Sequence, residues 1–242
     1  MNVSVNGPRV LYEIPILGGI KITETIRNQW IVIFVLVLLS IILTRNLKVK
    51  NPSKKQLAIE KIYLMLQNLV KNVMGERNIK FMPYIGTLFS FSMLSSLSGL
   101  TGLRAPTADL STTLAMALVT FFMVQIVNIA HNGVKGWLKG FTQPVAFILP
   151  LNLVSEIANP ISMAFRHFGN IASGIVITTL VYGALGALSS SVFGYIPVLR
   201  DIPLLQAGLP ALLSIYFDVF TSFLQAYIIS MLTMVFVSSP NE

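Results

Sequence analysis

The sequence predicts an all-α integral membrane protein with about five membrane-crossing helices and one amphipathic helix lying on the interface. Three observations carry that expectation. Of its 242 residues 54% are hydrophobic and only 11% charged, with a mean hydropathy of +0.75, more apolar surface than one soluble core could hide. Several apolar runs reach the roughly 20 residues that cross a hydrocarbon core of about 30 Å, and no strand-period alternation suggests a barrel. Nine of the 17 basic residues fall between Arg45 and Lys80, directly after the first apolar run. That clustering is the mark of a cytoplasmic loop, so the net charge of +8 needs no nucleic acid to explain it. The absence of cysteine excludes disulfides and thiolate metal sites.

The elements follow in order. Residues 1–29 are too polar for the apolar core of a signal peptide, and no cleavable leader is expected there. Residues 30–44, rich in Leu and β-branched side chains, form the first span when extended a few positions upstream, with Trp30 at one edge. Arg45, Lys48, Lys50, Lys54 and Lys55 at the other edge set that end in the cytoplasm and the N-terminus outside. Over 56–74, Ile59, Ile62, Leu66, Leu69, Val70 and Val73 recur at helical spacing against a polar opposite face, which predicts the interfacial helix. A helix packed on another subunit is the alternative.

Residues 81–130 read as a helical hairpin. One helix over 81–100 runs outward, a loop at 101–111 carries Arg104, Pro106 and Asp109, and 112–130 returns. Lys135 and Lys139 then place the connection 131–140 in the cytoplasm again. Residues 142–189 and 204–237 are too long for perpendicular crossings, since even 30 residues of helix extend about 45 Å. They predict a long tilted hairpin over 142–237, turning at 190–203, interrupted by Pro144, Pro150, Pro160 and Pro210, with the C-terminus inside. With no repeat, low-complexity tract or appended soluble domain, residues 1–242 read as a single membrane domain.

The ionisable residues within these spans are Glu156, Arg166, His167 and Asp218, with Asp109 near the outer edge. An Arg or Asp at membrane depth costs on the order of 2.5–3.5 kcal/mol on insertion scales, so each should face a cavity or a partner. Arg166 cannot shed its proton and is the centre of the candidate site. Asn170 lies one turn on, and Gly169 and Gly174 thin the helix for a close approach. In the last helix Asp218, Ser222 and Gln225, at i, i+4 and i+7, form a polar stripe that an antiparallel packing can bring to Arg166. Structural alternatives stand beside these roles: a buried ion pair of Arg166 with Asp218 or Glu156, a helix N-cap for Asp109, and packing for His167.

The segment Pro160-Ile-Ser-Met-Ala-Phe-Arg166-His-Phe-Gly-Asn170 resembles the arginine-bearing helix of the membrane stator subunit a of rotary F-type ATP synthases. Ala105-Pro-Thr-Ala-Asp109-Leu-Ser-Thr-Thr113, Pro150-Leu-Asn-Leu-Val-Ser-Glu156 and Phe223-Leu-Gln225-Ala-Tyr-Ile228 agree with the same family in the same order, over residues 81–237. The resemblance implies a stator whose long tilted helices wrap a rotating c-ring of small hairpin subunits, each with a mid-membrane carboxyl. Arg166 matches the family's essential arginine, with Asn170 and Gln225 holding it by hydrogen bonds. Asp218 falls in the outward half-channel, where members place a His or an acidic residue, and Asp109 lies nearby. Glu156 takes the inward half-channel, although some members carry their carboxylate at the position of Asn152. Ser173 and Gly174 supply no acid where some members have one. Peripheral-stalk b subunits and the rest of the complex are the implied partners, and a bacterial plasma membrane the implied location. The driving force is then a proton or sodium-ion gradient. The chain carries no Walker-type loop and so no nucleotide site of its own, and no cofactor or metal is implied. From Arg166 alone, a stand-alone secondary transporter binding an anionic substrate is the competing expectation.

Overall fold

The computed structural model describes residues 7–15, 20–143, 145–193 and 215–238. Before the first helix lies an antiparallel pair of short strands, β1 (Val10–Ile14) and β2 (Ile20–Thr23), which the all-helical expectation omits. Glu13 stands opposite Lys21, with Lys21 Nζ 3.4 Å from Glu13 Oε1. The amide of Glu24 donates to Arg9 O at 2.9 Å and joins the hairpin directly to α1 (Glu24–Thr44).

Helix α1 starts upstream of Trp30, as the extended first span requires, and its 21 residues reach about 31 Å. Its N-terminal end is tied down by Asn28 Nδ2, which donates to Arg104 O at 2.9 Å. Helix α2 (Lys54–Met74) is capped by Ser53 Oγ, which accepts from the amide of Gln56, and closed by Gly75 at φ 77°. The C-terminal half packs Val70 and Met74 against Met82, Ile85, Met234 and Val237. Its N-terminal half leaves Ile62, Tyr63, Leu64 and Met65 exposed, as an interfacial helix would. At Gly86 a Cβ would come within 2.9 Å of Leu66 Cδ2, so glycine permits this close approach.

Helix α3 (Met82–Leu97) corrects the expected number of spans. It has 16 residues, about 24 Å, between the 3-10 turns Glu76–Phe81 and Ser98–Thr101. Among the described residues four helices, not five, are long and apolar enough to cross a membrane: Glu24–Thr44, Leu110–Gly140, Leu149–Ser189 and Ile215–Ser238. Sequence hydropathy over 81–100 ran through both flanking turns, where i→i+3 bonding replaces α-helix. Buried within the protein, α3 lies antiparallel to α6 (Thr221–Ser238): Met82 and Ile85 meet Met234 and Val237, Leu88 meets Ile229, and the rings of Phe89 and Phe223 stand edge to face at 5.8 Å.

Asp109 caps α4 (Leu110–Gly140), its Oδ1 accepting from the amide of Ser111 at 3.3 Å and from Ser111 Oγ at 2.8 Å. The stretch 131–140, expected as a loop, is helical. It folds back at Gly133, whose φ of 67° and ψ of 166° break the helix, and brings Trp137 Nε1 to within 2.8 Å of Gln125 Oε1. Helix α5 (Leu149–Phe193) spans 45 residues, about 67 Å, and is held at its start by Asn152 Nδ2, which donates to Phe141 O and Gln143 O. A helix of that length stays within a bilayer only by tilting. A π-helical turn, Ile215–Phe220, leads into α6. Of the expected turn at 190–203, residues 190–193 continue α5 as helix, while 194–203 and the start of the last helix, with Pro203 and Pro210, lie outside the described residues, as does Pro144.

Candidate functional site

Arg166 projects from α5 on an exposed face that also carries Ser155, Ala158, Ser162, Asn170 and Ser173, all at helical spacing and all small or polar. Among the described residues no ion pair or hydrogen bond ties Arg166 to Glu156, Asn170 or Gln225. The guanidinium is therefore presented outward from the subunit rather than neutralised within it. Gly169 on this face has open space where a Cβ would stand, whereas Gly174 is buried and faces Phe217, with 3.6 Å to Phe217 Cβ from a notional Cβ. Gly174 thus thins α5 for the π-helical turn that precedes α6 rather than for an outside partner.

Two sets of cavities open along α5 on either side of Arg166. The larger, about 720 Å³, is lined by Asp109, Asp218, Ser222, Arg104, Phe168 and Ile171, and rimmed by Arg9 and Glu24. It joins two of the residues expected on the outward path, Asp109 and Asp218, in a single space. Asp218 sits in the π-helical turn, a geometry that adds a residue to the turn and often accompanies functional sites. Asp109 spends its carboxylate on the α4 N-terminus, so the cap anticipated from sequence is present while the side chain still borders the cavity.

At the other end two smaller cavities share Glu156 and Asn128. One of about 370 Å³ adds Gln125, Trp137, Asn152 and Ser155; the other, of about 300 Å³, adds Thr120, Asn159, Pro160 and Met163. Glu156 accepts a hydrogen bond from Gln125 Nε2, and Gln125 Oε1 accepts from Trp137, so a relay of amide and indole aims the carboxylate. Pro160 has no N–H to offer the carbonyl of Glu156 one turn back, which leaves that carbonyl for the cavity. Neither Gln125 nor Trp137 was singled out in the sequence. The fold-back at Gly133 brings them together, and only the glycine in a basic helical stretch hinted at it.

The interior of α5 is different. His167 is buried, with Nε2 3.5 Å from Ser92 Oγ and no partner for Nδ1, as its packing role implies. Gln225 is only 2% exposed, on the buried face of α6 with Ala226, and no hydrogen bond joins it to Arg166 among the described residues. Of the expected stripe, Asp218 and Ser222 share a cavity, while Gln225 turns into the core.

Residues 27–238 match the family model described as ATP synthase A chain. The chain is 31% identical, over 96% of its length and 84% of the relative's, to the sodium ion specific ATP synthase subunit a of Propionigenium modestum. It is 30% identical to ATP synthase subunit a of Moorella thermoacetica, over 94% of both chains. It is 33% identical to ATP synthase subunit a 1 of Crocosphaera subtropica, over 91% of its own length and 87% of the relative's.

Proposed function

The chain belongs to the ATP synthase A chain family, and on that premise we propose that it is the ion-translocating stator of an F-type ATP synthase, with two offset half-channels serving a rotating ring. Its helices make it a multi-pass membrane protein. The observation that carries the reading is the placement of separate cavities before and after Arg166 on one helix, one holding Glu156 and the other Asp218.

The chemistry follows from charge. A ring carboxyl brought from lipid to the exposed face of α5 meets a permanent cation, which favours its ionised form, so it releases a proton or a bound cation. The ionised group is then reloaded from the cavity on the other side. Asp218, in the wide cavity, draws cations from the side that carries the N-terminal hairpin. Glu156 receives or delivers them at the end that carries the basic stretch 45–55, which the positive-inside rule assigns to the cytoplasm, with the N-terminus outside. Arg166 repels any cation passing directly between the cavities along that face. Each charge moved through 100 mV contributes about 2.3 kcal/mol, so several transfers accompany each ATP. ATP itself is made elsewhere in the complex. The c-ring and the peripheral-stalk b subunits are the partners this reading requires, and a bacterial plasma membrane is its setting.

The test is ATP-driven ion uptake into inverted vesicles carrying the whole complex, at varied pH and Na⁺. Arg166→Ala abolishes pumping while ATP hydrolysis continues, and a dependence on Na⁺ or on pH alone identifies the ion. Pumping at the native rate in Arg166→Ala overturns the assignment.

A further inference from the structure

Arg166 is exposed on one face of α5, so its charge guards only the surface across which a ring would move. Between the cavity lined by Thr120 and Met163 and the one lined by Ser96 and Ser222 lies the buried interior of the subunit, away from the exposed face of α5. Three helices there carry an apolar residue between two polar ones, and α5 carries a polar residue on one side only. On α3 the sequence of side chains is Tyr84, Leu88, Ser92; on α4 it is Thr120, Met116 with Ala117, Thr113; on α5 it is Pro160, Met163 with Ala164, His167; and on α6 it is Thr233, Ile229, Gln225.

The polar groups form two layers. On the side of Glu156, Tyr84 Oη lies 3.2 Å from Thr120 Oγ1, which lies 3.3 Å from Thr233 Oγ1. On the side of Asp218, His167 meets Ser92, Ser96 Oγ lies 2.9 Å from Thr107 Oγ1, and the buried hydroxyls of Ser95 and Ser222 have no partner among the described residues. Thr120 lines one of the cavities at the Glu156 end, and Ser96 and Ser222 line the Asp218 cavity. Between the layers Leu88, Met116, Ala117, Met163, Ala164 and Ile229 form one buried apolar cluster.

We propose that this cluster is a second ion barrier, a dry septum that keeps the two half-channels apart inside the subunit while Arg166 keeps them apart at the rotor face. It rests on the channel reading above. A water needs two to four polar partners to stay in a buried site, and the cluster offers none; a cation without water or a counter-charge is excluded from such a layer. Along each helix seven or eight residues, about 11–12 Å, separate the two polar layers, with the apolar layer midway. A single polar side chain in that layer divides the gap into two steps of about 6 Å, short enough for held waters to link the hydroxyl layers.

The experiment uses vesicles with the whole complex, in which the ring carboxyls are capped by a carbodiimide so that rotor-borne flux stops, and residual proton permeability is read after an acid pulse. Met163→Asn and Leu88→Asn raise that residual permeability about tenfold over native capped complexes, and Met163→Leu leaves it unchanged. Ile229→Thr, which exchanges the ethyl arm for a hydroxyl in a smaller side chain, gives a smaller rise and serves if the Asn variants do not assemble. Assembled Asn variants, or failing them Ile229→Thr, as tight as the native complex after capping would falsify the septum. If native complexes show no carbodiimide-sensitive flux at all, the channel reading falls instead.

Discussion

The two ends of the molecule make polar cavities by opposite means. The end with the N-terminal hairpin encloses about 720 Å³ and admits full charges, with Arg9, Glu24, Arg104, Asp109 and Asp218 around one space. At the Glu156 end the cavities are about half that size or less, and apart from Glu156 their polar lining is uncharged: Gln125, Asn128, Asn152, Ser155 and Asn159. Charges survive at depth where space for water is ample, because solvent offsets their desolvation. Where space is narrow, neutral amides supply donors and acceptors at lower cost, and one carboxylate is held by direct hydrogen bonds. On the proposed stator reading, the contrast assigns one end to attracting cations and the other to positioning a single transfer.

Substitutions that exchange charge for amide separate the two ends most sharply. Asp218→Asn removes the charge that draws cations into the wide cavity, and ATP-driven pumping should fall by about tenfold or more, a barrier increase of about 1.4 kcal/mol; Asp218→Glu should recover most of it. Near-native pumping in Asp218→Asn would erase the comparison. Glu156→Gln, in a cavity that is already amide-lined, should lower pumping only about three- to fivefold, since about 1 kcal/mol of hydrogen bonding is at stake. Gln125→Leu should have the same effect, and the double variant should add little, because both act through one contact. Full additivity would separate them.

Trp137→Phe tests the fold-back more gently: it deletes the hydrogen bond to Gln125 yet keeps the ring that stands edge to face with Phe141 at 5.1 Å. Pumping should drop by about threefold, at the low end of the roughly 0.5–1.5 kcal/mol of one hydrogen bond. Asp109→Ala should leave pumping least altered and show itself in stability, costing about 1 kcal/mol through loss of the α4 cap; thermal denaturation of the detergent-solubilised complex reads it. A large loss of pumping with unchanged stability would move Asp109 from cap to channel.

Sequence reasoning reached the helices whose apolar runs are unbroken, α1, α4, α5 and α6, because in a bilayer length and hydropathy nearly dictate the element. It reached the amphipathic α2 through periodicity, and Asp109 through the chemistry of helix ends. Three features escaped it. The strands at Val10–Ile14 and Ile20–Thr23 are too short for their alternation to stand out. The fold-back at Gly133 depends on one positive φ in an otherwise helical stretch, and the π-helical turn at Ile215–Phe220 adds a residue without any compositional mark. Within the candidate site, Arg166, Asp218 and Glu156 were legible as ionisable groups in apolar surroundings. The inward turn of Gln225 was not, since helical spacing gives the angles between side chains but not which neighbour they face.

The length of α5 has a geometrical consequence. From Glu156 to Gly174 the helix advances about 27 Å along its own axis, and because a helix so long must lean, much of that advance runs sideways around the circumference of any cylinder turning beside it. On the stator reading proposed above, depth in the membrane would thereby be converted into azimuth: a group loaded at one port would sweep through an arc before it reached the other. The handedness of the lean would then fix which arc is short and barred by Arg166 and which is long and open through lipid, and a protein of fixed chirality would give a linear gradient a sense of rotation.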